Sequence, residues 1–241
     1  MTIIGTDEVG RGCIAGPIVA ASFAINTSLL KQIKNDLLKI EKLETKVLTK
    51  NKLNRAVRLI NHDLSFDKKI KDTYTTKVNI DTKVFQHVYD SKKVTQNNRK
   101  IVIEQIIKIG DFGVGVVSNL EIDNKGLQKA NIKAMQKSKS NLQYWTSTGP
   151  VLYLSDFLKL KKQDIPKTSY KAIIKGDSKS FVIAAASIIA KEYRDSLMYQ
   201  YHKIYPKYGF NTNVGYGTKA HITAVKKHGL SPIHRKSVKI K

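Results

Sequence analysis

The chain has 241 residues, 41% of them hydrophobic, and carries 43 Lys+Arg against 19 Asp+Glu for a formal charge of +24. Wholesale disorder is excluded, the length suits one sizeable core or one domain with an appendage, and no apolar run approaches the ~18 residues of a membrane span. A single cysteine, Cys13, excludes an intramolecular disulfide and a multi-cysteine zinc site. The segment Met1-Thr2-Ile3-Ile4-Gly5 lacks the basic and apolar regions of a secretion signal, so a cytoplasmic location is expected. The charge favours a polyanionic partner, most simply nucleic acid. It does not decide the matter, because 37 of the 43 basic residues are lysine, a usage that genome base composition also produces.

Residues 2–6 predict a short strand ending at the acidic pair Asp7-Glu8. After a Gly-rich turn, Gly16-Pro17 opens a second apolar run, Ile18 to Ile25, dense enough for a buried strand. Residues 28 to about 85 differ, with 14 Lys/Arg, 7 Asp/Glu, no Gly and no Pro. The spacing of Leu29, Ile33, Leu37 and Ile40 predicts a mostly helical basic insertion, with Thr/Lys-rich extended chain near 73–83. Thr95 is a candidate N-cap for a helix carrying Ile101, Val102 and Ile106 and closing near Gly110. Residues 112–117 predict a strand, and Asp123 to Leu142 an amphipathic helix. Val151 to Ser155 predicts a strand delivering Asp156, and Ala172 to Ile174 another, followed by Gly176-Asp177. The run Ser180 to Tyr201, rich in small residues, predicts a helix packed closely on a sheet. A Tyr/Gly-rich loop (205–217) and a last helix (about 219–228) follow, and the mixture implies an α/β domain.

In so basic a chain the acids at strand ends carry information: Asp7, Glu8, Asp156 and Asp177. Clustered like charges repel, and divalent cations reverse that penalty. Hard Mg²⁺ or Mn²⁺ prefers carboxylate oxygens, and two such ions about 4 Å apart can activate water and stabilise the leaving oxygen of a phosphodiester. A single acid after a strand is also an ordinary turn or N-cap residue, and Asp111, Asp123 and Asp164 compete on pattern alone. Tyr216, between two glycines, is either a loop aromatic or a stacking platform for a sugar or base. Gly10-Arg11-Gly12 is either turn chemistry or a set of exposed amides that grips ribose or phosphate. Lys92-Lys93 reads as a solvated charged face or a phosphate clamp. Six scattered His with no HxxxH pair argue against a His-based zinc site.

Five blocks together carry a resemblance. They are Gly5-Thr6-Asp7-Glu8-Val9-Gly10-Arg11-Gly12 continuing to Pro17; Asp90-Ser91-Lys92-Lys93-Val94; Glu121-Ile122-Asp123 with Asn131 and Ala134-Met135 downstream; Lys175-Gly176-Asp177 through Ile183 to Lys191 and Arg194-Asp195; and Tyr205-Pro206-Lys207-Tyr208-Gly209-Phe210 with Gly215-Tyr216-Gly217-Thr218, His221 and Ser231 to Arg235. Over residues 2–26 and 86–237 the chain resembles the type 2 ribonucleases H, in particular the bacterial ribonuclease HII family. The resemblance implies a ribonuclease H-like fold: a central mixed β-sheet flanked by helices, a catalytic domain over residues 1–200 that holds the insertion, and a C-terminal helical extension, 201–241, contacting substrate. It implies a monomeric, metal-dependent endonuclease acting on an RNA–DNA hybrid or on a DNA duplex containing ribonucleotides, with two Mg²⁺ or Mn²⁺ ions.

Carried over by motif, Asp7, Glu8 and Asp177 match three catalytic, metal-holding acids. Asp156 is the match for the fourth, although Asp156-Phe157 stands where the family usually has Asp-Gly. Gly10, Arg11 and Gly12 are expected at the ribonucleotide's 2′-hydroxyl, and Tyr216 at the RNA–DNA junction. Ser91, Lys92, Ser178, Lys179 and Ser180 are candidate substrate contacts, with Ser178 or Ser180 also able to cap the following helix. The sister ribonucleases HIII usually carry a preceding domain, for which a catalytic block beginning at residue 5 is expected to leave no room. The family crosses the 28–85 interval with a much shorter connection. The insertion is expected to be a solvated appendage, or alternatively extra grip on a duplex.

Overall fold

Five strands form one mixed sheet in the order β3-β2-β1-β4-β5: β1 (Thr2–Val9), β2 (Ile18–Asn26), β3 (Asp111–Val117), β4 (Val151–Asp156) and β5 (Ser169–Ile173). β1–β2 and β2–β3 pair antiparallel, whereas β1–β4 and β4–β5 pair parallel. The computed structural model describes residues 1–67, 81–89, 91–142, 150–156 and 169–239. The helices are α1 (Thr27–Leu43), α2 (Val47–Leu64), α3 (Gln96–Ile106), α4 (Asn119–Lys125), α5 (Leu127–Ser140), α6 (Phe181–Ile204), α7 (Phe210–Asn213) and α8 (Lys219–His228).

Strand alternation decides which side chain meets which helical layer. Ile3, Val19, Ala21, Phe23 and Ile25 share a core with the apolar residues of α6, from Phe181 to Ala190. Ile18 and Ala20 face the other way, onto Ala130, Ala134 and Met135 of α5. Central strands covered on both faces need little polar patterning, which is why β2 reads as an apolar run. α6 can lie close because Gly5 has no side chain; a Cβ there would stand 2.2 Å from the Val182 carbonyl carbon. The C-terminal segment packs on the end of α6 through Ala15, Met198, Tyr208, Phe210 and Ile233. α6 itself runs unbroken across residue 200.

Several boundaries differ from the sequence reading. β1 continues through Asp7 and Glu8, so these acids lie in the strand and not after it. The helix expected over Asp123–Leu142 is two helices, α4 and α5, broken at Gly126, whose φ of 81° is a conformation glycine adopts without a Cβ clash. Of the extended chain expected near 73–83, residues 73–80 lie outside the described residues, and the remainder enters a 3-10 helix, Thr82–His87. The insertion is helical, as expected, but it is not a solvated appendage. Leu29, Leu30, Ile33 and Leu37 of α1 and Leu53, Ala56, Leu59 and Ile60 of α2 are buried in the same core as β2 and α6.

Candidate active site

Because Asp7 and Glu8 are consecutive in β1, their carboxylates leave opposite faces of the sheet. Asp7 points to the α6 side, where Ser187 lowers its pKa, and its Oδ1 accepts the Glu8 N–H at 2.8 Å. Glu8 points to the α5 side, toward Asn131 and within 3.5 Å of Arg11 Nη1. Asp156 ends β4, the parallel neighbour of β1, and adds its charge to both. Burial raises the Asp7 pKa well above the ordinary value, reinforced by repulsion from Glu8 and Asp156. Burial also raises Glu8, Arg11 opposes the rise, and Asp156 adds to it.

Asp177 comes from a short turn before α6. Lys175 holds a left-handed φ of 56°, which swings the chain so that the Gly176 N–H donates to Asp156 Oδ1 at 2.9 Å. Asp156 and Asp177 then line one cleft of about 620 Å³ with Lys92, Lys93, Lys175 and Ser178. The four sequence-predicted acids thus come from β1, β4 and the turn before α6. Two of the three competing acids go elsewhere. Asp111 opens β3. Asp123 accepts from the Lys236 and Ser237 N–H groups and ties down the C-terminus. Asp164 and Asp90 lie outside the described residues.

The donors suit a hard divalent cation. They are carboxylate oxygens that repel one another, and Glu8 Oε2 is buried with no hydrogen-bond partner among the described residues. Among the described residues no three His, Cys, Asp or Glu side chains already close into a metal cage. Beside Glu8, Asn131 is fully buried and favours the carboxylate form, yet neither of its amide atoms completes a hydrogen bond with a described residue. These orphaned polar atoms are the kind that a bound cation and its waters satisfy.

The Gly10–Pro17 turn follows directly on β1 and reaches back to its acids through Arg11 and Glu8. Backbone pairing joins Cys13 to Tyr216, and the Ile14 and Ala15 N–H groups donate to the Gly215 carbonyl at 2.9 and 3.2 Å. Two fully buried arginines hold this turn from behind. Arg194 donates to the carbonyls of Pro17, Val214 and Ala15, at 2.9, 2.7 and 3.1 Å. Arg235 donates to those of Gly16, Arg11 and Pro17. His221 Nδ1 donates to the Tyr216 carbonyl at 2.8 Å and its Nε2 accepts from His234 Nε2 at 3.0 Å, while His234 Nδ1 accepts the Ser231 N–H at 2.9 Å. This relay requires both rings neutral, and burial lowers both pKa values, that of His234 to about 4. Sequence reading singled out Tyr216 but gave none of these supporting residues a role, because donors to backbone carbonyls leave no local pattern.

The remaining candidates divide by exposure. Arg11, Gly12, Lys92, Ser178 and Lys179 are exposed. Ser91 is buried and bonds to Ser187 at 2.9 Å, and Ser180 is buried as the N-cap of α6, accepting the Ile183 N–H. These two serve the site from beneath, through α6.

A five-stranded mixed sheet with acids at the ends of neighbouring strands is the arrangement of ribonuclease H-like proteins, and the fold agrees. The crystal structure of the ribonuclease H2 from Pyrococcus horikoshii OT3 matches with a TM-score of 0.65 at 20% identity, over 100% of this chain and 95% of that one. The family model described as Ribonuclease HII matches residues 4–88 and 76–241. Ribonuclease HII of Chlamydia caviae is 46% identical over 237 residues, covering 98% of this chain and 82% of its own length. That of Clostridioides difficile is 46% identical over 158 residues, and the match spans 65% of this chain but only 59% of that protein. The chain belongs to the ribonuclease HII family.

Proposed function

We propose that this protein is an endoribonuclease that cuts the RNA strand of RNA–DNA hybrids and the 5′ side of single ribonucleotides embedded in duplex DNA, leaving 3′-hydroxyl and 5′-phosphate ends. The observation that carries this reading is the group of mutually repelling carboxylates, Asp7, Glu8 and Asp156, with an unpartnered Glu8 oxygen, beside a cleft walled by lysines. Asp7, Glu8, Asp156 and Asp177 would hold two Mg²⁺ or Mn²⁺ ions, which when bound lower the pKa of an attacking water and offset charge on the departing 3′-oxygen.

The chain's own residues do the rest. Asp7 and Glu8 give up their protons when a cation binds, so their raised pKa values make that binding weaken as pH falls. Lys92 and Lys93 attract the phosphodiester to the cleft. The Gly10–Gly12 amides and Tyr216 recognise the 2′-hydroxyl, the group that distinguishes RNA from DNA at one sugar. The Cys13–Tyr216 pairing, which joins these two elements, supports that assignment. We read the protein as a monomer of the cytoplasm with no membrane role; no described helix is long and apolar enough to cross a membrane.

The test compares single-ribonucleotide, hybrid and all-DNA duplexes with Mg²⁺ and Mn²⁺. Cleavage of the first two and not the third is expected, and Asp7→Asn should abolish it while binding persists. Either cation should also raise the thermal midpoint of the wild type more than that of Asp7→Asn. Full activity in Asp7→Asn would overturn the reading.

A further inference from the structure

We infer that the inserted helix α2 builds an accessory groove for the backbone phosphates of the substrate duplex, continuous with the carboxylate cleft. The inference rests on the proposed function, in which the substrate is a nucleic-acid duplex. On one side of a groove of about 480 Å³ stand Arg55, Arg58 and His62 of α2, and opposite them Lys93, Ser178 and Lys179. Lys93 and Ser178 also line the carboxylate cleft, so a strand lying in one passes directly into the other. Among the described residues no carboxylate lines this groove.

Arginine usage sharpens the point. The chain has six arginines. Arg99 is buried in ion pairs with Glu192 and Asp195, and Arg194 and Arg235 are buried against backbone carbonyls. The other three are Arg11 of the turn and Arg55 and Arg58 of the insertion, and the last two both line this groove. The insertion's other basic residues are lysines and histidine. A guanidinium presents a planar fork to phosphate oxygens that an ammonium cannot. At i and i+3, Arg55 and Arg58 share one helix face. Arg55 lies over the Tyr89 ring, 4.6 Å from its centroid, which fixes its plane and desolvates one side. The opposite face of α2 is buried through Leu53, Ala56, Val57 and Ile60, so the arginines ride on an element that cannot turn. Pre-set cations lose little freedom when a phosphate arrives.

The experiment measures binding of a ribonucleotide-bearing duplex in EDTA by fluorescence anisotropy, across a salt series. R55Q/R58Q should weaken binding roughly tenfold at ~0.1 M salt and lower the slope of log K against log[salt] by about 1 to 2, near 0.9 for each phosphate no longer neutralised. K42Q/K46Q removes the same charge at the exposed α1–α2 turn and should change the slope far less. R58Q alone alters only an exposed side chain, so it keeps the fold and should give about half the change. If R55Q/R58Q matches K42Q/K46Q, the groove is overturned. If the wild type cuts no ribonucleotide-bearing duplex, the proposed function fails while the binding slopes still decide the groove.

Discussion

The turn from Gly10 to Pro17, which follows the acids of β1, and the inserted helix α2, which lines the basic groove, are held by different forces. The turn is a stretch of irregular backbone whose carbonyls are satisfied by guanidinium groups: Arg194 and Arg235 each reach three of these or of the neighbouring Val214, across more than 170 residues of sequence for the links from Arg194 to Ala15 and Pro17. Helix α2 satisfies its own backbone and is held by apolar side chains along one face. Removing one buried arginine from the turn takes bonds from several carbonyls at once. Changing a residue on the outer face of α2 strands nothing. A frame of the first kind ties several backbone groups to one side chain. One of the second kind leaves its outer face available for new charge, which is where Arg55 and Arg58 stand.

The largest expected effect breaks the turn. Arg194→Ala leaves the Ala15 carbonyl without its donor, Val214 with only the weak Cys13 thiol and Pro17 with only Arg235, and opens a cavity at a fully buried site, at a cost of about 3–5 kcal/mol. Urea unfolding should record it, together with loss of cleavage at single ribonucleotides. Arg194→Met restores volume without donors and should recover only part of the stability. A destabilisation no larger than that of Arg55→Ala would erase the contrast between the two regions.

Next comes Tyr216, which the turn positions. Tyr216→Ala should lower cleavage at an isolated ribonucleotide by about 10- to 100-fold, the range expected for removing one stacked ring, and affect a continuous hybrid much less. Its ring lies 6.0 Å from the Arg194 guanidinium, and the His221–His234 relay holds its carbonyl. Equal losses on the two substrates would show that Tyr216 reads no junction.

What the sequence revealed follows the same division. The apolar runs of β2 and β4 and the Gly- and Pro-free run of α6 are legible because those segments are buried along much of their length and their composition shows it. The extension of β1 through Asp7-Glu8 was hidden, since acids are poor strand formers and their burial is tolerable only beside the neighbours that tertiary structure supplies. The opposite-facing placement of these acids follows once they are strand residues. Gly126 interrupts a helical pattern that is otherwise continuous from α4 into α5, and apolar spacing does not register it. The packing of α1 and α2 was half visible: the apolar stripe is in the sequence, but the surface that receives it is assembled from β2 and α6. The buried arginines were visible only as members of a familiar string, because their partners are carbonyls, which every residue has.

The smallest effect tests whether α2 touches the catalytic frame at all beyond apolar packing. Asp63, fully buried at the end of α2, accepts the Val182 N–H at 3.1 Å and so satisfies a free donor in the first turn of α6, 119 residues away. Burial raises its pKa above the ordinary 3.8, with His62 and Ser180 opposing the rise. A raised native pKa means the folded state holds the proton more tightly than the unfolded chain. That contribution is fully present below about 3.8 and is lost as pH rises through the native value. Asp63→Asn keeps an acceptor for Val182 and removes the titration. Its stability relative to wild type should therefore improve from pH 4 to pH 8, and taking the difference cancels the same-signed contributions of Asp7 and Glu8. Asp63→Ala loses the cap itself and should cost about 1–2 kcal/mol at either pH. Parallel pH profiles for wild type and Asp63→Asn would mean that burial against α6 does not hold the Asp63 proton.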